Sequence, residues 1–453
     1  MSRKGKRRGI SVGTILMVLI TCAVVYGMAT VLPRLAGDTV IDLNALQLPG
    51  ILSLGDAVPE LGLNDIPIRA QTTTPPAAIA TPVVTAPSAP TMPPVQVTPV
   101  PVTGGSFTIT FGGTITIDNT LRQAAYFNEA KSYDFYDVLS LIKTDMNADC
   151  TVVSLENIIN DEGKLSNVVT VTDVLPMLTT AGVDVVSLGF ANAYDQGLAG
   201  LIGTVEAVHG RGMAVVGAFA NENEAGISQQ IMTLGGVKVA VLHYTDALSS
   251  KGRNAIKKDG ATYAVSVDAV SDGADAILKA AADARASGAQ VVIVSLNWGD
   301  DNATSPTKKQ VAFAQQLADA GVDVIVGSGS DAVQPAVWLD GKRADGSTGR
   351  TLCVYSLGSL LNSSRTNKNV AGMLLRLRLT VGSDGSVKFD EASYVPTYIW
   401  RYRQDGRYYY RVVAADQPSP DGMDDDQTDA RERAFSNVKK YLGNDPALTL
   451  RQK

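Results

Sequence analysis

Three stretches of the chain end in the same way: Leu178–Gly189 (LTTAGVDVVSLG), Ala284–Asn297 (ARASGAQVVIVSLN) and Leu317–Gly327 (LADAGVDVIVG). Each has the pattern of a helix end, a glycine, a continuous apolar strand and a polar turn. Continuous apolar runs are typical of strands that are covered on both faces of a parallel sheet. The repeated pattern therefore predicts an α/β fold, in which ligand-binding residues gather beyond the carboxyl ends of the strands.

The same patterns extend outward along the chain. Strands are predicted at Phe107–Phe111, Thr151–Leu155, Val183–Leu188, Ala214–Gly217, Lys238–His243, Gln290–Leu296 and Val322–Val326. Helices are predicted at Phe135–Met146, Thr172–Thr180, Leu198–His209, Asp272–Ser287 and Lys308–Ala320. After Asp331 the pattern becomes mostly β, at Ala332–Leu339, Leu352–Leu357, Ala371–Val381 and Val387–Val395. This change suggests a second sheet packed on the first.

The first residues predict a membrane anchor. Five of the first eight residues are basic, and no further charge appears before Arg34. The stretch Ile10–Leu32 is long enough, at about 1.5 Å per residue, to cross a bilayer core of about 30 Å. The basic residues favour a cytoplasmic segment over residues 1–9 and an extracytoplasmic remainder. A cleaved signal peptide is the alternative, but its apolar core would be only about 7–15 residues long.

The rest of the chain divides by composition. Residues 33–105 predict an extracytoplasmic linker, Pro/Thr-rich from Gln71, where nine of the twenty prolines and no charges occur. Such a composition favours extended, polyproline-like chain. One folded domain is expected over residues 106–415, followed by a polar acidic tail over residues 416–453. That tail contains a possible helix at Thr428–Leu442, and we expect it to be solvated or only loosely docked.

The net charge and the cysteines argue against two classes of function, nucleic-acid binding and structural zinc binding. The net charge is −6 and the isoelectric point is near 5.1, which argues against nucleic acid as a partner. Cys150 and Cys353 stand in apolar strands, and the sequence leaves open whether they are buried thiols or a disulfide. Their spacing does not predict a structural zinc site.

The turns after the strands form an ordered set. They are TFGG at Thr110–Gly113, SLEN at Ser154–Asn157, SLGFANAYDQG at Ser187–Gly197, NWG at Asn297–Gly299, GSGSD at Gly327–Asp331 and VYSLG at Val354–Gly358. Over roughly residues 106–396, this set resembles the CapA family of capsule synthesis and poly-γ-glutamate biosynthesis proteins. The resemblance implies the metallophosphoesterase fold, a four-layer α/β/β/α sandwich.

The chain departs from that family where the resemblance implies metal ligands. The family's aspartate position is Gly113, its Asn-Asn-His triplet is Phe190-Ala191-Asn192, the histidine before Trp298 is Asn297, and its His-Pro-His triplet is Gly329-Ser330-Asp331. Glu156 and Asp195 are retained. The chain has two histidines. His209 is predicted on a helix surface, and His243 ends a strand from which it could approach the cleft.

A two-metal centre needs a bridging carboxylate and several imidazoles. Since these are replaced, we predict no metal, no catalytic residue and no cofactor, with the asparagines bonded to loop backbone and Asp195 capping the helix near Leu198. A single calcium or magnesium ion on oxygen ligands is the alternative.

These inferences predict a non-catalytic CapA-like envelope protein in the cell membrane, with an extracytoplasmic domain. Its partners would be an envelope polymer or capsule-synthesis membrane proteins. One alternative is a phosphoesterase or γ-glutamyl amide hydrolase with rearranged metal ligands. Another is an interaction module whose cleft is filled by side chains.

Overall fold

The computed structural model describes residues 104–226, 230–342, 347–443 and 447–451. The predicted membrane anchor (residues 10–32) and the Pro/Thr-rich stretch up to residue 103 lie outside the described residues. Within the described residues, no helix has both the length and the apolar character that crossing a bilayer requires.

The strands, in chain order, are β1 (Gly105–Ile115), β2 (Tyr126–Phe127), β3 (Ser132–Tyr133), β4 (Cys150–Leu155), β5 (Ile158–Ile159), β6 (Val169–Thr170), β7 (Val185–Ser187), β8 (Ala214–Val216), β9 (Gln230–Leu234), β10 (Val237–Thr245), β11 (Val291–Asn297), β12 (Val324–Ser328), β13 (Ala336–Lys342), β14 (Thr348–Val354), β15 (Ser359–Leu361), β16 (Ala371–Val381), β17 (Val387–Gln404), β18 (Arg407–Ala414) and β19 (Thr449–Leu450). The helices are α1 (Asn119–Ala125), α2 (Lys143–Met146), α3 (Leu175–Thr180), α4 (Gly197–His209), α5 (Glu222–Gly226), α6 (Ser250–Asp259), α7 (Asp275–Ala286), α8 (Lys308–Asp319) and α9 (Asp425–Leu442).

Two large sheets organise the fold. The first has the strand order β18-β17-β16-β1-β4-β7-β8, with β15 paired to β1 and β19 paired to β17. The second has the order β13-β14-β12-β11-β10-β9. Strands β1, β4, β7 and β8 are parallel, as are β10, β11, β12 and β14. The predicted α/β class is confirmed.

A second sheet is present and contains β13 and β14 as predicted, but the assignment of the later strands to it is wrong. The C-terminal hairpin strands β16, β17 and β18 do not form the second sheet, because β16 pairs antiparallel with β1 and extends the first sheet. The second sheet consists instead of the central strands with β13 and β14. Apolar alternation identifies the strands of a sheet but does not specify which edge each one joins.

Three hydrophobic clusters separate the layers. The inner cluster contains Ile109 and Val152 of the first sheet together with Val241 and Ile293 of the second. A second cluster lies between the outer face of the first sheet and helices such as α4, and a third between the outer face of the second sheet and helices α7 and α8. Neighbouring residues along a strand alternate between these clusters, as the period of two requires.

One local prediction fails for an identifiable reason, and the structure decides one question that the sequence left open. In the segment Phe135–Met146, helix α2 covers only the last four residues, after a 3-10 turn at Ser140–Ile142. The preceding backbone contacts β18 instead, because the amide of Val412 donates to the carbonyl of Val138 at 2.8 Å. Cys150 faces the inner cluster and Cys353 faces an outer one, so both thiols are free and the possible disulfide is not formed.

The C-terminal segment is packed on the fold, contrary to the expectation of a loose tail. Helix α9 buries Ala434, Val438 and Leu442 in the inner cluster. Beyond it, Arg451 holds Asp416 with two hydrogen bonds, from Nε at 2.9 Å and from Nη2 at 2.8 Å. The acidic residues of α9 face solvent on the side of the helix opposite to its buried residues. This explains why composition suggested a solvated segment.

Candidate functional site

The candidate site lies where the parallel strands of both sheets end. Inner-face positions of these strands are apolar along most of their length and become polar at their carboxyl ends. We call this set of residues the polar layer, and it comprises Ser154, Glu156, Ser187, His243, Thr245, Ser295, Asn297 and Ser328. Because the residues follow inward-facing valines and isoleucines at intervals of two, the pleat aims them into the space between the sheets.

Glu156 and Asn297 join the two sheets directly. Glu156 follows β4 in the first sheet, and Asn297 ends β11 in the second. The Asn297 amide nitrogen donates to Glu156 Oε1 at 2.6 Å, and the Thr245 hydroxyl donates to Asn297 Oδ1 at 3.4 Å. Burial, together with the charge of Asp331, raises the pKa of Glu156 to about 7, although the Asn297 hydrogen bond opposes that shift.

His243 makes a second bridge between the sheets. Its Nε2 lies 2.7 Å from the carbonyl oxygen of Gly189, and its Nδ1 lies 2.9 Å from the Ser295 hydroxyl. A carbonyl can only accept, so Nε2 carries the proton and Nδ1 accepts from Ser295. Burial lowers the pKa of His243 to about 4, which keeps the imidazole neutral at pH 7. Both ring nitrogens are therefore occupied by protein partners.

The backbone closes the position where the family resemblance implies an aspartate. An ideal Cβ at Gly113 would collide with the carbonyl oxygen of Gly358 and lie 3.0 Å from its carbon. The same carbonyl accepts from the amide of Thr114 at 3.1 Å. A side chain at residue 113 would therefore require the backbone of the Gly358 turn to move.

The loop from Phe190 to Asp195 is bonded within the protein. Phe190 packs in the outer cluster of the first sheet, and the exposed Ala191 accepts from the Ser249 amide at 2.6 Å. Asn192 donates to Asp195 Oδ2 at 2.9 Å, and the Ser249 hydroxyl donates to Asp195 Oδ1. The prediction that Asp195 caps a helix is wrong: the residue before α4 is Gln196, which has no capping side-chain bond. Both oxygens of Asp195 are used elsewhere.

The loop after β12 is equally constrained. Gly329 has a φ of +96°, and a Cβ there would lie 3.1 Å from the Trp298 amide. Trp298 is buried and donates from Nε1 to the Tyr355 carbonyl at 2.9 Å. Asp331 accepts from the Ser359 hydroxyl at 2.9 Å. Burial and the charge of Asp301 raise the pKa of Asp331, against the effect of the Ser359 bond.

These residues do not fit a pair of transition-metal ions. Such a pair needs a bridging carboxylate and free imidazole nitrogens. Here Gly113 has no side chain, His243 has no free ring nitrogen, and the Asn297 amide is bonded to Glu156. Within the described parts of the chain, no group of three or more His, Cys, Asp or Glu side chains is arranged to hold a metal ion.

Sequence reasoning missed three serines of the site. Ser295 had a readable signal, because it is a lone polar residue in an apolar strand, two positions before Asn297 and hence on the same face. Ser359 follows the Tyr355–Gly358 turn closely and was also within reach. Ser249 had no such signal, since it is brought to Asp195 only by the placement of α6.

The buried carboxyl of Glu156 predicts a pH-dependent stability. Its pKa in the folded chain is about 7, against 4.5 for the free group. The folded state therefore holds this proton more tightly, and the group's stabilising contribution is lost as the pH rises from 4.5 through 7. We expect Glu156→Gln, which cannot ionise, to gain about 3 kcal/mol of unfolding free energy relative to the unmodified chain over that interval. Urea unfolding at several pH values measures the difference.

His243 acts in the opposite direction in the same experiment. Its pKa falls from 6.5 to about 4 on folding, so its contribution is lost as the pH drops from 6.5 to 4. In the unmodified chain the two contributions oppose each other, so the unfolding free energy should change little between pH 6.5 and pH 4. The Glu156→Gln variant lacks the Glu156 contribution and should lose stability as the pH falls. Glu129→Gln, at an exposed position, serves as the control. Parallel curves for Glu156→Gln and the unmodified chain would contradict this prediction.

The close contact between Gly113 and Gly358 predicts that any side chain at residue 113 destabilises the fold. We expect Gly113→Ala to lower the unfolding free energy by about 3 kcal/mol or more through overpacking. The matched control is Gly203→Ala on the exposed surface of α4, where a Cβ meets no atom within 4 Å. That control should gain up to about 1 kcal/mol from helix propensity. Chemical denaturation compares the two, and equal effects would refute the close contact.

Comparison with known proteins places this site in a family. The family model described as bacterial capsule synthesis protein PGA_cap matches residues 108–364, more than half of the chain. The capsule biosynthesis protein CapA of Bacillus anthracis is 30% identical over 32% of this chain and 34% of its own length. A probable polyglutamine synthesis accessory protein of Mycobacterium tuberculosis is 29% identical over 43% of this chain and 53% of its own length.

Thus the chain spans only about a third to a half of the length of these curated relatives. Among solved structures, the NAD nucleotidase of Haemophilus influenzae is similar with a TM-score of 0.38 and 11% identity, over 74% of this chain and 56% of that one. The family match covers the strand ends from β1 to β15, including every turn that makes up the candidate site. The chain belongs to the CapA family of bacterial capsule and poly-γ-glutamate synthesis proteins.

Proposed function

We propose that this protein is a non-catalytic member of the CapA family with the four-layer metallophosphoesterase architecture. The observation that carries the proposal is the contact of Gly113 with the Gly358 carbonyl, which leaves no space for a metal-bridging carboxylate. The Glu156–Asn297 hydrogen bond supports it, because that bond occupies the same strand ends. The protein would act in capsule or poly-γ-glutamate synthesis or export by binding.

The charge at the strand ends favours a protein partner over the polymer itself. In addition to burial, the charges of Asp331 and Asp301 raise the pKa of Glu156, and the charge of Asp301 raises the pKa of Asp331. A polycarboxylate such as poly-γ-glutamate would be repelled from this surface, whereas basic residues of a partner would be attracted to it. A capsule-synthesis membrane protein with a basic docking segment is therefore the partner that we propose for this surface.

A second candidate function rests on the pKa of Glu156. A buried carboxyl with a pKa near 7 has the protonation behaviour of a general acid or base. A phosphoesterase or γ-glutamyl amide hydrolase with rearranged ligands would use such a group. The bonded state of His243, Asn297 and Asp331 argues against this candidate.

Metal content and turnover decide between the two functions. We expect the full chain, dialysed against manganese or zinc, to retain far less than one ion per molecule by elemental analysis. The unmodified chain should hydrolyse a phosphodiester and poly-γ-glutamate no faster than Glu156→Gln does, because His243, Asn297 and Asp331 at the strand ends are bonded to other protein groups. Two ions per molecule, with turnover that Glu156→Gln abolishes, would replace the binding function with the enzymatic one.

We also propose that residues 10–32 anchor the protein in the cell membrane as a single span, with the folded unit on the extracytoplasmic side. The apolar stretch and the preceding basic cluster support this orientation. In spheroplasts, added protease should digest the folded unit without lysis, and the protein should sediment with membranes. Protection from protease until lysis would contradict the orientation, and a soluble, shortened chain would indicate a cleaved signal peptide.

A further inference from the structure

A groove rich in aromatic side chains lies outside the polar layer. Two cavities of about 220 and 460 Å³ adjoin, because both are lined by Phe127, Asp134 and Phe135. The first is also lined by Tyr402 and Tyr409 of the β17–β18 hairpin. The second is lined by rings of the segment after α1, including Tyr133 and Tyr136. We call this pair of cavities the aromatic groove.

The rings of the aromatic groove are held in place by one another. Tyr402 stacks on Tyr409 with centroids 5.5 Å apart and on Trp400 at 4.5 Å. On the other side, Tyr133 packs against Phe135 at 6.4 Å. Tyr136 remains 57% exposed at the rim. Single exposed aromatics are ordinary on a protein surface, but a contiguous concave set of this kind is typical of a binding site.

Charges around the aromatic groove exclude a polyanion. Its lining includes four acidic residues: Glu129, Asp134, Asp137 and Asp173. Two arginines beside the groove have protein partners. Arg411 pairs with Asp137 at 3.1 Å, and Arg407 lies 4.4 Å above the Phe127 ring and donates to the carbonyl of Ala124 at 3.3 Å. A polycarboxylate would therefore be repelled by the four acidic residues of this lining.

We propose that the aromatic groove binds an uncharged oligosaccharide. The apolar C–H faces of pyranose rings pack on aromatic side chains, and sugar hydroxyls donate to carboxylate and amide oxygens such as those of Asp134, Asp137 and Gln404. The two cavities together fall within the range of about 300–1,000 Å³ that is usual for small ligands. This site goes beyond the proposed function, because it uses none of the residues of the polar layer and would attach the protein to a glycan of the envelope.

Isothermal titration of the full chain with chitotetraose and with cellotetraose tests the proposal. The protein is purified without sugar-headgroup detergents, which would compete for the groove. We expect binding of at least one oligosaccharide, which Tyr136→Ala weakens about tenfold, the loss of one ring contact worth about 1.4 kcal/mol. The matched control is Tyr408→Ala, because Tyr408 is also exposed, at 48%, but lines neither cavity. Its affinity should equal that of the unmodified chain.

Fluorescence gives a second, independent measurement. Because Trp400 stacks on Tyr402, saccharide binding should shift tryptophan emission in the unmodified chain and in Tyr408→Ala. Absence of binding at millimolar saccharide would overturn the proposal, as would equal weakening by the two tyrosine variants. Binding of poly-γ-glutamate or of a proline-rich peptide to the groove, in place of a saccharide, would assign it to a different ligand class and would equally refute the proposal.

Discussion

The hydrogen bonds that join the two sheets at their strand ends determine how the side chains of the candidate site are positioned. Glu156 to Asn297 and His243 to the Gly189 carbonyl each connect one sheet to the other, at 2.6 and 2.7 Å. A buried polar group that has no hydrogen-bond partner destabilises the folded state by its desolvation penalty. Each of these groups therefore stays bonded to its partner, and the pairs hold one another in position. These hydrogen bonds connect the two sheets at their strand ends and set the geometry of the polar layer.

Two residues of the polar layer have opposite effects on how stability depends on pH. Burial favours a neutral imidazole and a neutral carboxyl, which is why the pKa of His243 is lowered and that of Glu156 is raised. The two shifts are opposite in sign over nearly the same pH interval, so their effects on stability largely cancel. The hydrophobic contacts between the sheets then supply the net stabilisation, since Phe107, Val241 and Ile293 are almost completely buried.

The sequence predicted most of the strands and the side chains that end them, but not the contacts that these side chains make. Periodicity located the strands that end near Glu156 and Asn297, because each is a continuous apolar run with a polar end. It did not reveal that β16 pairs with β1, which is a long-range choice of partner. The collision at Gly113 was not readable either, because a glycine in a turn carries no information about which backbone approaches it. The docking of α9 was missed since its narrow apolar stripe is diluted by acidic residues.

In this member of the CapA family, side chains at the strand ends bond to one another. The binding function that we propose is compatible with that arrangement, because a binding surface needs no reacting group. The most direct test is a crystal structure of the protein grown with manganese and measured at the manganese absorption edge. We expect no anomalous peak at the strand ends and a Glu156–Asn297 hydrogen bond that stays intact. Two anomalous peaks about 3.5–4 Å apart at that position would contradict it.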